Sequence, residues 1–446
     1  MATTASPEET APEPQAGAAE APAAAASAAP AHDGFFTKDV IRHNMMFLIM
    51  LEAILMTGSA DFQIGLQPLL EYINAPYKLI GFIQGLSWTA ILGCIATPYI
   101  TRHFPYKKWY YITVTSLWAL SLAVLGIALV TSPVWNPSLF ALTIVTLICV
   151  VFFNMTMGFT NTPHNEFIAS CIPPDHRGRL FGISTALYGL VSLGVIAISR
   201  YLLEVIEHPV SFGFIFIMTC VIWLIGFGFA SFAREMRTPV EKSPKPWTRE
   251  MFRAFFLDKA YIRFVIFCAL THLTFMPLFV LIPNYGLREM NMPATAAADI
   301  AFISQIVVIV TSTPSGWLID KFGPKRMLPI SVGLIGCAYM FLFIVFTPLG
   351  IYSSMGLMKL ALAVFYPCLT ILSVSIPKPE DRAGHFSTFS IVGMLYFAAG
   401  PIIGGFVSDW IEPRTVVLIG SLLAFAFIPL TIVLLRVLAT HLRDYY

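Results

Sequence analysis

Twelve apolar stretches, the first at residues 44–70 and the last at 415–437, leave this chain few ways to fold. An α-helix rises about 1.5 Å per residue, so about 20 apolar residues cross a hydrocarbon core roughly 30 Å thick. Each stretch has that length. Lipid offers no partner to a backbone N–H or C=O, so the helix is the default reading for every one of them. Composition agrees: hydrophobic residues make up 57% of the chain and charged residues 12%, where a soluble domain carries roughly 25% charge. The mean hydropathy is +0.76. The expectation is an all-α integral membrane protein with twelve transmembrane helices and both termini on one side.

Basic residues set the expected orientation. Of the 27 Lys and Arg residues, Lys78, Arg288 and Arg414 fall in the loops of one side and Arg200 and Lys359 within spans, while the other 22 fall at the termini, in the central segment and in the loops on that same side. Cytoplasmic loops carry the Lys/Arg excess. Both termini are therefore expected in the cytoplasm of a multi-pass protein, in a bacterial inner (cell) membrane or an internal membrane derived from it. The pI near 8.1 follows from this placement and gives no argument for nucleic acid as a partner. The seven Cys show no C-x-x-C spacing and sit mostly in or beside apolar spans, where a thiol behaves as a small hydrophobe. No G-x-x-x-x-G-K-[ST] loop is present to cradle a nucleotide phosphate. Neither cofactor, metal nor catalytic residue is expected, and the chain is not read as an enzyme.

The polar, proline-containing segment 234–262 divides the spans into two sets of six. The expected order is an Ala/Pro-rich disordered cytoplasmic tail (1–36), a six-helix bundle (37–233), a cytoplasmic linker (234–262), a second six-helix bundle (263–438) and a cytoplasmic C-terminus (439–446). Within the linker, residues 247–259 mix aromatic and charged side chains at helical spacing and read as a helix along the inner interface. The two halves echo one another. One loop runs Ile172-Pro173-Pro174-Asp175-His176-Arg177-Gly178-Arg179-Leu180-Phe181, and its counterpart carries Ile376-Pro377, Glu380, Asp381, Arg382 and Phe386. The halves are therefore expected to be pseudo-symmetric.

Between two spans of the second half lies Gly316-Trp317-Leu318-Ile319-Asp320-Lys321-Phe322-Gly323-Pro324-Lys325-Arg326. This G-x-x-x-D-K-x-G-x-K-R pattern resembles the cytoplasmic signature loop of the major facilitator superfamily of secondary transporters. The resemblance covers roughly 40–440 and implies two six-helix bundles, alternating access, and a central cavity lined mainly by helices 1, 4, 7 and 10. It also implies a conformational latch made of Gly316, Asp320, Gly323, Lys325 and Arg326 against the end of helix 5, near Arg177 and Arg179. The corresponding loop of the first half keeps a basic pair, Lys107 and Lys108, but lacks the glycine and the aspartate. Gly400, Pro401, Gly404 and Gly405 resemble a Gly-Pro motif of family antiporters. Here they stand in the eleventh span, and their reading is a close-packed kink.

A charge at bilayer depth costs roughly 2.5–3.5 kcal/mol on insertion scales, so each needs a partner or a wet cavity. Glu52, Ser59 and Gln63, spaced 7 and 11 apart, stay within roughly 20° on one helix face. Thr143, Asn154 and Asn161 in helix 4 form a similar stripe, as do Tyr352, Lys359, Tyr366 and Thr370 in helix 10. Each stripe reads as cavity lining or as hydrogen bonding between helices. Asp61 falls on the opposite face from Glu52 in a straight helix and reads as the partner of a neighbouring helix, unless Gly58 and Gly65 break the geometry. His272 in helix 7 lies at a depth like that of Glu52. The two could relay a proton across a cavity, and a hydrogen-bonded core histidine is the other reading. His164 and His176 read as solvated loop residues. Arg200, Glu204 and Glu207 read as an interfacial salt-bridge cluster.

These readings converge on a secondary active transporter of a small solute, proton-coupled and acting as a monomer in the lipid bilayer. Gln63, Asn154, Lys359 and Tyr366 are the expected solute-binding residues, with Lys359 drawing an anionic group. Glu52, Asp61 and His272 are the candidate proton-coupling groups. A proton-coupled exporter of amphipathic compounds, a carrier of a metal or metal complex through Glu52 and His272, and a non-transporting assembly factor on the same fold remain alternatives. The charge distribution yields one direct test. A phosphatase reporter fused to the C-terminus should be inactive, and one fused beside Arg414 active; the reverse pattern would invert every loop assignment.

Overall fold

The computed structural model describes residues 35–101, 103–237, 256–377 and 382–442. Within them, twelve helices are long and apolar enough to cross a membrane. The first six are α1 (Lys38–Tyr72), α2 (77–101), α3 (Lys107–Val130), α4 (Leu139–Cys171), α5 (Pro174–Val205) and α6 (Val210–Phe232). The second six are α7 (Lys259–Glu289), α8 (Ala296–Phe322), α9 (Pro324–Ile344), α10 (Pro348–Ser375), α11 (Arg382–Trp410) and α12 (Pro413–Leu442). Residues 1–34 of the expected tail, 238–255 of the linker and 443–446 lie outside the described residues.

Polar side chains set several helix starts. Thr37 caps α1 by accepting from Val40 N at 3.3 Å, Ser138 caps α4 from Ala141 N at 3.2 Å, and Asp258 caps α7 from Tyr261 N at 3.0 Å. Each satisfies a first-turn N–H that has no partner within its own helix. Helix length exceeds apolar length at such ends. The apolar stretch of the fourth span, 138–160, ends well before its helix, and α4 runs on to Cys171 through Pro163. Hydropathy marks where lipid contact ends, and a helix continues past that point wherever its hydrogen bonds can. Gly323 ends α8 at φ +77°, and Pro324 opens α9 immediately after it. A side chain at that φ would be strained, and proline suits the first helical position, where no N–H is needed.

The helices form two six-helix bundles with matching contacts. In the first, α1 packs on α5 and α6, α3 on α4 and α6, and α2 on α4. In the second, α7 packs on α11 and α12, α9 on α10 and α12, and α8 on α10. Adding six to each label of the first set gives the second. The bundles meet along two seams related by the same rule, α2 with α11 and α5 with α8.

The α2–α11 seam depends on glycine. A Cβ on Gly81 would stand 2.2 Å from the Pro401 carbonyl oxygen, and one on Gly405 2.4 Å from that of Tyr77. Gly400 and Gly404 face α7 instead, where a Cβ would meet Met276 and Pro277. The glycines of the eleventh span therefore let one backbone approach two neighbours. Midway along α2, Gly85–Thr89 tightens to a 3-10 turn, and a Cβ on Gly85 would be 2.7 Å from the Ala398 carbonyl oxygen. Without a hydrophobic driving force between helices in lipid, such close packing supplies much of the attraction. We expect Gly81→Ala to part the seam, at a cost of about 1–3 kcal/mol for overpacking. Disulfide formation in a Lys78→Cys/Asp409→Cys pair, whose parent side chains lie 3.9 Å apart across that seam, should fall sharply. Unchanged cross-linking would show that the seam absorbs a methyl group.

Candidate functional site

A cavity of about 500 Å³ lies between the bundles, lined from α1, α2, α5, α7, α8 and α10. Its polar lining is mainly amide. Gln63 and Gln67 come from α1, Gln84 from α2 and Gln305 from α8, with Ser304 beside it. Gln63 Oε1 accepts from Gln67 Nε2 and Gln84 Nε2, each at 3.4 Å. Among the described residues Gln67 Oε1, Ser304 Oγ and Gln305 Nε2 are buried with no hydrogen-bond partner. Apolar walls come from Met56, Ile300, Val308 and Met355. Lys359 of α10 supplies the charge, its Nζ 5.0 Å from the ring centre of Phe279.

Of the expected solute-binding residues, the cavity brings together Gln63 and Lys359. Asn154 donates to its own helix at Val150 O (2.9 Å). Tyr366 packs on His272 and Phe397 instead of lining the cavity. The side chain of Asn161 lies outside the described residues. Ser304, Gln305, Gln67, Gln84 and Tyr188 also line the cavity. The adjacent polar pair Ser304-Gln305 inside an apolar span was a legible signal for the first two.

The candidate proton groups occupy three separate settings. Glu52 is 5% exposed, and its Oε1 lies 3.1 Å from Nε2 of His164 on α4. That contact is close in distance but outside hydrogen-bond geometry, since Glu52 Oε1 has no hydrogen-bond partner. The Tyr111 ring of α3 lies 5.3 Å from the imidazole. His164 thus belongs to a helix and faces a buried carboxyl, contrary to its reading as a solvated loop residue, because α4 extends past the expected boundary. Asp61 is fully buried and accepts hydrogen bonds from Ser199 of α5 and from Thr219 of α6, the latter at 2.8 Å. One turn before it, Gly58 makes room for Trp223, whose Nε1 donates to Leu55 O at 3.0 Å. His272 sits in the second bundle with Nδ1 2.7 Å from Cys268 O, ringed by Phe275, Phe365, Tyr396 and Phe397. Its Nε2 is buried without a partner. The Glu/His pair that this structure forms is therefore Glu52–His164, within one bundle.

About one helical turn beyond Gln67, toward the end opposite the termini, charged side chains join the bundles. Glu71 of α1 accepts from Arg288 of α7 through Nη2 at 2.9 Å and Nε at 3.1 Å, and Nη2 also donates to Ala75 O at 2.7 Å. The guanidinium stands 4.7 Å over the Tyr77 ring, and Tyr77 OH donates to Glu289 at 2.8 Å. Lys78 pairs with Asp409 at 3.9 Å, and Arg200 with Asp299 at 2.8 Å as well as with Glu204. The expected Arg200 cluster therefore also reaches the other bundle.

At the termini end no ion pair joins the expected latch residues among the described residues. Asp320, Lys325 and Arg326 are exposed, and a Cβ on Gly316 would meet nothing within 4 Å. Arg177 donates to Ile172 O and Ala169 O of its own segment, and Arg179 is exposed. Along α5 and α8, Gly189 packs against Ile309, whereas Gly178 and Gly182, nearer the termini, face open space. In the first half, Glu235 lies beyond the end of α6. It accepts from Lys107 N at 2.7 Å and Lys108 N at 3.0 Å, capping α3. Burial pushes its carboxyl above the usual range, and these backbone bonds oppose the shift.

The family model described as Major Facilitator Superfamily matches residues 45–348 and, separately, 279–443. No curated protein matches the chain. Among solved structures, it is similar to a bacterial homolog of the human lysosomal transporter Spinster, inward-facing and unoccupied, at 14% identity and TM-score 0.62, over 91% of this chain and 97% of that one. It is similar to the nucleoside transporter NupG at 15% identity and TM-score 0.60, over 89% and 98%. It is also similar to the xylose transporter XylE from E. coli, partially occluded and inward open, at 14% identity and TM-score 0.62, over 87% and 97%.

The Glu71–Arg288 contact should behave as one shared interaction. Glu71→Ala and Arg288→Ala are each expected to raise labelling of a Gln67→Cys thiol by an impermeant reagent added on the far side from the termini. The double variant should add little, giving a coupling of about 0.5–3 kcal/mol. Fully additive effects would mean that the two side chains act independently.

Proposed function

Because the chain belongs to the major facilitator superfamily, we propose that it is a secondary active transporter of a small solute, working by alternating access with both termini in the cytoplasm and protons as the coupling ion. The observation that carries this reading is the cavity on the seam between two bundles, ion-paired at the end away from the termini, with no ion pair joining the latch residues at the other end among the described residues. This is what the cytoplasm-open half of a rocking cycle requires. That two similar structures are of inward-facing or inward-open transporters supports the same assignment. In the opposite state the ion pairs would part, and Asp320 with Lys325 and Arg326 would close on the end of α5 near Arg177 and Arg179.

In this reading Glu52 carries the coupling proton, and His164 accepts it as the carboxyl ionises. Both groups belong to one bundle, so the pair survives rocking, and solute or solvent access decides when it loads. Asp61 clamps three helices through two hydroxyl donors and serves mainly to hold the bundle together. The aromatic surroundings of His272 suit a structural histidine, with proton transfer as its secondary reading.

Proteoliposomes with a panel of labelled small solutes test this. Wild type should accumulate at least one solute under a pH gradient. Glu52→Gln, mimicking the protonated acid, should keep counterflow exchange while gradient-driven accumulation falls to background. Accumulation retained in Glu52→Gln would remove the coupling assignment. A wild type that moves no solute would favour the assembly-factor alternative.

A further inference from the structure

Lys359 is the charged residue of the cavity lining, and no Asp or Glu lines that cavity among the described residues. Nor does any described carboxylate approach its Nζ within ion-pair distance; its neighbour there is the face of Phe279. The acids that reach membrane depth on the surrounding helices are already engaged. Glu52 meets His164, Asp61 meets Ser199 and Thr219, Glu71 meets Arg288, Glu289 meets Tyr77, and Asp299 meets Arg200. An ammonium group in a low-dielectric site needs a counter-charge or water. Among the described residues the protein supplies no counter-charge.

We propose that the cavity selects a small organic monoanion, whose carboxylate or equivalent head supplies the charge missing at Lys359. This rests on the transport reading above and assigns its substrate class. One lysine and no acid neutralise one negative charge, so a dianion would leave a charge unmatched and a cation would meet repulsion. The rest of the solute faces a mixed wall. The unpartnered Gln305 Nε2 and Ser304 Oγ of α8 and Gln67 Oε1 of α1 await hydrogen-bonding groups, while Met56, Ile300 and Met355 offer apolar surface. About 500 Å³ is far more than an inorganic ion needs and falls within the usual range of organic ligand pockets. Gln305 becomes a specificity residue: its Nε2 lies 3.7 Å from where a Cβ on Gly189 of α5 would stand, and it lines the same cavity as Gln63, Gln67 and Gln84 of the first bundle, so a solute that bonds both sides would tie the bundles together.

The test is thermal stability of the full chain in detergent at constant ionic strength. Benzoate, lactate and gluconate are compared with benzamide, lactamide and glucose, with nitrate as the inorganic control. At least one organic anion should raise Tm saturably by about 2–5 °C, while its uncharged counterpart does not. The shift should persist in Lys359→Arg, vanish in Lys359→Met, and need several-fold more anion in Gln305→Leu. Equal shifts with the uncharged compounds, a shift retained in Lys359→Met, a response to nitrate alone, or no response to any anion would each overturn the assignment. If Lys359→Met does not accumulate, the wild-type preference for an anion over its matched amide decides. Thiol labelling at Ala60→Cys, in the same cavity lining, separates the two levels. Alternation between the two faces without anion selectivity would leave transport standing and remove only the substrate class.

Discussion

A charge withdrawn from water must be matched or hydrated, and how this chain meets that demand governs the arrangement of its bundles. At the end opposite the termini, acids on α1, α8 and α11 meet cations on α7, α5 and α2 across the seam. These pairs are partly exposed, so each contributes little by itself. Their effect is concerted: Arg288 combines a bidentate carboxylate contact, a backbone carbonyl and an aromatic face. A network that gains modestly from each contact can form in one conformer and part in another. A fully buried lattice of ion pairs, costly to break, could not.

Glycine sets the approach that brings those charges into range. Along α2 and α11 the two backbones touch through Gly81 and Gly405, and Gly85 takes the Ile402 side chain beside the Ala398 carbonyl. The α5–α8 seam closes at Gly189 and at Arg200–Asp299, whereas Gly178, Gly182 and Gly316 face open space. Glycine contacts also occur within the bundles, as at Gly126–Gly213 and Gly404–Pro277, and the first bundle adds interlocking side chains to them. Trp118, Trp223, Phe153 and Phe62 interlock in the first, Asp61 bridges α1, α5 and α6, and Glu235 ties α6 to the start of α3. Interlocked rings and buried hydrogen bonds resist rearrangement, whereas smooth glycine surfaces and part-exposed ions slide and separate. Rigid bodies on a smooth seam are the mechanical requirement for rocking.

Pairing also distinguishes the buried titratable groups. Asp61 has two hydroxyl donors and no route for its charge to change without cost to the clamp. Glu52 has the imidazole of His164 beside it, and that side chain is 21% exposed. In the proposed cycle the carboxyl beside a partly wet imidazole carries the proton, and the one closed in by two hydroxyls on other helices holds them in place.

The sequence by itself determined the twelve spans, the doubling of a six-helix unit, the glycine-proline junction between α8 and α9 and the presence of polar groups at depth. These follow from local rules: length against lipid thickness, hydrogen bonding within a segment, and backbone freedom at Gly323. It also offered Lys359 and Gln63 as cavity residues, because a cation and an amide inside apolar spans are costly wherever they point. Tertiary structure alone decided which polar groups meet. Helical spacing places Glu52 on a face, but the angle between α1 and α4, and the unforeseen extension of α4, select His164 over His272 as its neighbour. Similarly, nothing in the 2–3 loop signals that α3 is capped by Glu235, more than a hundred residues away in sequence. Local chemistry fixes what a residue needs, and only the packing of helices distant in the chain fixes which side chain meets that need.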